Sequence, residues 1–186
     1  MKKRPAAEYD FPAIPLAQRL SRTDAYSRLS GISVDGWPIA GDGTHSWIAH
    51  CYGTVGVARD DAPDTGTGAE LFMPLGGSAR RLDRNYTIVG RVIDGARHLS
   101  ALPRSTAKMG VYESAAERTP ILWMRLASDM PEGERPHYLY RAADNARFAA
   151  MIAAKENPQP PMVAPGGVDV CDVPLEVRPF ETRPAP

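Results

Sequence analysis

Cysteine is scarce: the 186 residues hold two, Cys51 and Cys171. They have no CxxC spacing, so a local redox or metal motif is absent. One long-range bridge is a reading of the pair, but two buried free thiols are the expected state. Charge of one sign is also missing. Lys plus Arg number 22 and Asp plus Glu number 22, and a chain without a basic excess is a poor match for nucleic acid or a membrane surface. No apolar run reaches transmembrane length. The start, MKKRPAAEYDF, has basic residues but no apolar segment after them. It is therefore not a secretion signal as given, and the compartment stays open. Met1–Arg4 reads as a solvated terminus. No GxSxG occurs, and no Ser/His or Cys/His pair has a recognisable context, which leaves a hydrolase with little support. A covalent adduct on Cys51 would be its sign. His45, His50 and Cys51 lack a second ligand pair at metal spacing, so packing or surface roles are expected for them, and no metal or cofactor is implied.

What is present is an ordinary globular composition, 43% hydrophobic and 24% charged, with 18 prolines concentrated at both ends. A chain of this length can bury one sizeable core. Residues 1–31 show little periodicity, and residues 32–49 read as a loop or short hairpin in which Trp37 and Trp47 cover apolar surface. From residue 50 the pattern sharpens. GTVGVAR (53–59) reads as a short strand, and DDAPDTGTG (60–68) as a dense run of turn formers. AELFMPL (69–75) and YTIVGRV (86–92) resume a β-rich pattern. A long ordered loop between buried strands is where binding groups tend to sit. Asp94 is placed to cap a short helix over 95–102 that Pro103 stops. Residues 104–118 read as loop, and TPILWMRLA (119–127) as a buried last strand. HYLYR (137–141) is a further strand candidate. DNARFAAMIAAK (144–155) is the strongest helix, with Asn145 as N-cap and Phe148, Met151 and Ile152 on one face. PQPPMVAPGG (158–167) reads as an extended linker, and 168–180 as the source of an edge strand. The expected organisation is an irregular segment over 1–49, a folded unit over 50–127, and an extension over 128–186 that carries one helix and a Pro-rich tail.

Five blocks in the middle unit carry a resemblance. They are Gly53-Thr54-Val55-Gly56-Val57-Ala58-Arg59, then Pro63-Asp64-Thr65, then Gly68-Ala69-Glu70-Leu71-Phe72. Leu82-Asp83-Arg84-Asn85-Tyr86-Thr87-Ile88-Val89-Gly90-Arg91-Val92 follows, and then Asp94-Gly95. In order and spacing, residues 50–127 resemble the second half of a cyclophilin-type peptidyl-prolyl isomerase domain, of a bacterial branch with extra sequence around the barrel. The fold this implies is mainly β with short helices: a cyclophilin-like antiparallel β-barrel, here incomplete. The family's first half carries a Phe-His-Arg-type strand with the catalytic Arg, and no such motif occurs between Met1 and His50. Three readings stay open. The native start lies upstream, the chain pairs with a missing N-terminal half or with itself, or residues 137–180 replace the lost strands.

The implied activity is cis–trans isomerisation of Xaa-Pro bonds in polypeptides, as a folding helper. Rotation about that bond meets a barrier of about 20 kcal/mol. Lowering it takes an apolar slot for the proline ring and polar groups that hold the twisted amide better than the planar one, with no metal or cofactor. By the resemblance, the backbone of Ala58 and Arg59 holds the residue before proline. Phe72 and Leu82 wall the ring pocket. Glu70 stands at the family's Gln, Arg81 at its pocket Trp, and Tyr86 at its pocket His. The catalytic residue itself has no match. The alternative is a non-catalytic module that binds Pro-containing peptides in the same groove, or an inactive remnant of the isomerase.

Overall fold

A computed structural model of the chain describes residues 6–163, 166–173 and 175–180. The basic run Met1–Arg4 and positions 164 and 165 of the expected linker lie outside the described residues. The first half of the chain builds a five-stranded antiparallel sheet from β1 (Phe11–Pro12), β2 (Gln18–Arg19), β3 (Leu29–Ile32), β4 (Pro38–Gly41) and β5 (His45–Ile48), in the order β1-β5-β4-β3-β2. This corrects the expectation of an irregular segment over 1–49. Each strand is four residues or fewer, too short to show period-two alternation, and prolines and glycines interrupt the pattern. Gly31 shows why a small residue is needed at the crossing: a Cβ there would lie 2.2 Å from the Gln18 carbonyl oxygen. The hairpin expected within 32–49 is β4–β5, with Ala40 opposite Trp47.

A second sheet of three strands follows, β6 (Thr54–Val57), β7 (Leu71–Phe72) and β8 (Ile88–Arg91), ordered β7-β6-β8 with a register shift at Val55/Gly56. All three strands arise where the apolar β-rich runs predict them. A short helix α1 (Ala96–Ser100) comes next; its N-cap is Gly95, in the left-handed region at φ 79°, and Asp94 makes no cap bond. The fold is mainly β, and its sheets do not close into a barrel among the described residues.

The buried last strand expected over 119–127 is not formed. The segment carries no strand, and Leu122 and Trp123 are 85% and 69% exposed. The apolar pattern is there, but no neighbouring strand is in place to pair with it. Farther on, β9 (Tyr138–Tyr140) pairs with β10 (Val177–Pro179), as the two edge patterns suggested.

Helix α2 (Ala146–Glu156) closes the core. Its Asn145 cap accepts a hydrogen bond from the Phe148 amide at 2.9 Å, an interaction worth about 1 kcal/mol. Phe148 and Ile152, one turn apart, are buried against Leu20, Ile32, Ala49 and Val170. At the helix end, the buried Glu156 accepts the Ser21 amide at 2.7 Å. Cys51 and Cys171 are joined in a disulfide across 120 residues, which corrects the expectation of free thiols. Spacing along the chain carries no information on which distant segments the core brings together.

Candidate functional site

The site begins with a glycine. Gly56 on β6 pairs with Phe72 on β7, and a Cβ at Gly56 would come within 2.5 Å of the Phe72 ring. The far end of the ring therefore rests on the strand at Gly56. Behind it the His50 imidazole stacks in parallel at 6.2 Å, and the Tyr86 ring meets its edge at 5.1 Å. Tyr86 in turn carries the Arg59 guanidinium 5.0 Å above its face. Stacked and edge-on pairs of this kind fix ring orientation beyond what burial gives.

From Phe72 the chain turns through Pro74, Gly76 and Gly77 into a single 3-10 turn (Arg80–Leu82), and between them lies a cavity of about 520 Å³. Tyr26, Phe72, Pro74, Leu75 and Leu82 give it apolar walls, and Arg81 stands on its rim, exposed. Of the residues expected to act together, Phe72, Arg81 and Leu82 share this cavity. Tyr86 and Arg59 sit behind Phe72 and off its wall. Glu70 is exposed, and its carbonyl accepts the Ala58 amide at 2.9 Å. That amide is thus committed to the β6–β7 connection. Arg59 is tied down as well, donating from Nε to the Asn85 carbonyl (2.9 Å) and from Nη1 to the Asp60 carbonyl (2.7 Å).

Under the cavity floor is a charged cluster that the sequence reading missed. Arg80 is fully buried. Its Nε donates to Asp83 Oδ2 at 2.7 Å, its Nη1 to Asp24 Oδ2 at 2.7 Å and its Nη2 to Ser27 Oγ at 3.2 Å. Burial opposes the charge on Arg80, but Asp83 and Asp24 outweigh it and hold the guanidinium above its usual range. Asp83 also accepts the Trp47 indole N–H at 3.0 Å and the His50 amide at 2.9 Å. Burial alone would raise its carboxyl. The nearby His50 ring, Arg80 and the His50 amide more than offset this, and Asp83 is held below the usual carboxylate range. Asp24 is shifted the same way: burial opposes it, and Arg80 with the Tyr26 amide prevails. His50 is enclosed, its Nδ1 3.5 Å from Asp83 Oδ1 and neither ring nitrogen in a hydrogen bond. The signal in the sequence was the Arg80-x-x-Asp83 spacing inside a turn. The partners Asp24, Ser27 and Trp47 are too distant in sequence to find that way.

Chemically, the arrangement is an apolar slot with Phe72 and Tyr26 in its walls, an ionic floor and an exposed cation, Arg81, at its rim. Among the described residues Arg81 makes no ion pair or hydrogen bond, so its guanidinium can turn toward an occupant.

Comparison with known proteins bears on the fold and the family. A peptidyl-prolyl cis-trans isomerase of Arabidopsis thaliana, CYP23, is 35% identical over 81 residues, which span 43% of this chain and 35% of that protein. The crystal structure of the cyclophilin AquaCyp293 from Hirschia baltica superposes with a TM-score of 0.66 at 22% identity, covering 95% of this chain and 65% of that one. The chain thus spans about a third of the curated relative and under two thirds of the solved structure. The model of the family described as cyclophilin type peptidyl-prolyl cis-trans isomerase/CLD matches residues 21–123, well ahead of the motif blocks and into the N-terminal sheet. With more than half of its length matched, the chain belongs to the cyclophilin-type peptidyl-prolyl cis-trans isomerase family.

Proposed function

We propose that this chain binds Xaa-Pro segments of polypeptides in the cavity under Phe72 and isomerises the Xaa-Pro bond. The observation that carries the reading is the Phe72 ring pressed on Gly56 and held by His50 and Tyr86, facing an apolar slot bounded by Leu75 and Leu82. Such a slot takes a proline ring and excludes water from the amide. Arg81 is the group we assign to the amide, because Arg80 and Arg59 are held by internal partners. Ala58, Arg59, Glu70 and Tyr86 lie off this cavity wall, and a part for them in holding the residues flanking proline rests on the family resemblance alone.

A second reading, a binding module without catalysis, is favoured by one observation: the buried cation nearest the slot, Arg80, is fully engaged with Asp83 and Asp24. NMR exchange spectroscopy on a labelled Xaa-Pro peptide separates the two. Cis/trans exchange peaks at substoichiometric protein support catalysis, and line broadening without exchange supports binding alone. Phe72→Ala should weaken peptide binding about tenfold or more by removing the aromatic wall, and unchanged affinity in a folded variant would refute the pocket.

We further propose that residues 50–127 correspond to the later part of the family's domain, in a bacterial branch, with 128–186 as an extension to it. The order of the blocks from Gly53 to Gly95 supports this. The exposed apolar run Ile121–Met124 supports association, either with a complementary segment or with a second copy. Sedimentation velocity across protein concentration tests self-association; a strictly monomeric profile would remove the second-copy case.

A further inference from the structure

A second cavity, of about 450 Å³, lies away from the Phe72 slot, between β8 and the C-terminal segment. Its walls are apolar: Trp37, Val92, Val170, Val173 and Leu175, with the Cys51–Cys171 disulfide forming part of the lining. The volume falls within the range of small-molecule sites, roughly 300–1,000 Å³.

Almost every polar side chain on this wall is committed. The Thr54 hydroxyl donates to the Cys51 carbonyl at 2.8 Å, and the Tyr52 hydroxyl meets Ser100 Oγ at 3.0 Å. The Glu176 carboxylate accepts from Arg141 Nη2 at 2.6 Å. Arg91 differs from these. One face of its guanidinium lies 4.8 Å from the Trp37 ring, and its Nη1 donates to the Gly36 carbonyl at 2.8 Å. Among the described residues no carboxylate pairs with it, and its Nε and Nη2 have no acceptor. Burial depresses its pKa, with only the Tyr140 phenol acting the other way. A partly desolvated cation without a counter-ion costs free energy that a bound anion would recover. The two vacant donors sit on one edge of a flat fork, which fits a planar carboxylate two-pronged.

We infer that this cavity is a binding site for a small carboxylate with an apolar body, alkyl or aryl, whose head pairs with Arg91 and whose body fills the space against Trp37, Val173 and Leu175. The site is separate from the slot proposed for Xaa-Pro peptides and does not depend on that assignment.

The test uses octanoate for the alkyl case and 2-naphthoate for the aryl case, titrated into the labelled chain and followed through the Trp37 indole and Arg91 Nε–H signals. The expected result is saturable binding of one of the two acids, with octanol or 2-naphthol at least about tenfold weaker because the charged hydrogen bonds are lost. Arg91→Gln should lose the same factor, Arg91→Lys should recover part of it, and Leu175→Trp should block binding with Arg91 intact. Phe72→Ala should leave the affinity unchanged. Equal affinity for acid and alcohol, full affinity in a folded Arg91→Gln chain, or shifts confined to the Phe72 slot would each overturn the inference. So would a failure of both acids to bind.

Discussion

Replacing Asp83 by Asn is the sharpest test of how the slot is held. The side chain is 6% exposed and accepts three hydrogen bonds, from Trp47 Nε1, the His50 amide and Arg80 Nε. Asparagine keeps the shape but turns one oxygen into a donor, which must face a donor already in place. It also leaves Arg80 with Asp24 at 2.7 Å and the more distant Asp169 at 3.8 Å as its counter-ions. Breaking a buried pair from one side costs about 3–5 kcal/mol, a large share of a total stability near 5–15 kcal/mol. Urea unfolding followed by tryptophan fluorescence would read this directly, since Trp47 is one of the three partners. Arg80→Met and the double variant complete a cycle. The double variant should cost less than the sum of the single ones by about 1–3 kcal/mol. The pH dependence has a definite sign. Asp83 and Asp24 are depressed in the folded chain, so their contribution is complete above the unfolded value of about 3.9 and is lost as pH falls below it through the folded values. The parent chain should therefore lose stability steeply on acidification, and Asp83→Asn should flatten that slope. An Asp83→Asn chain within about 0.5 kcal/mol of the parent, or strict additivity in the cycle, would refute the argument that this cluster supports the site.

Gly56→Ala should push the Phe72 ring off the strand, costing about 1–3 kcal/mol of stability and weakening Xaa-Pro peptide binding, measured by titration of a labelled peptide. Reduction of Cys51–Cys171 should lower the urea midpoint, because a loop of 120 residues is released in the unfolded chain; chain entropy puts the loss at about 4–5 kcal/mol. Parallel unfolding curves with and without a phosphine reductant check it, and coincident curves would count against it. On the proposed activity, Arg81→Ala should reduce Xaa-Pro cis/trans exchange by about tenfold or more with little change in stability, and an unchanged exchange rate would remove Arg81 from the proposed reaction.

The legible parts of this chain are those written locally. The turn-rich loop between β6 and β7, the β run ending at Arg91, and the Asn145-capped helix can each be read from a dozen residues, because caps, glycines and periodicity act over that range. The five-stranded sheet was not legible, since β2 and β1 are two residues each and exist only because β3 and β5 offer edges to pair with. The same holds for the floor of the site. Arg80 and Asp83 are adjacent in one turn, but the carboxylate of Asp24 and the indole of Trp47 arrive through tertiary structure. The run at 119–127 failed in the opposite sense: its composition is that of a strand, and pairing, not composition, decides whether a strand forms.

The position of α2 bears on how the molecule is made. The apolar cluster joins Leu20, Ile32 and Cys51 to Phe148, Ile152 and Val170, partners separated by about a hundred residues. Contacts of that span are slow to form, since a long loop must close before burial rewards it. On the ribosome the N-terminal sheet emerges with its inner face bare, and it stays bare until the helix and the turn bearing Cys171 have been synthesised. Until those segments are present, Leu20, Ile32 and Cys51 lack the apolar partners that bury them in the folded chain.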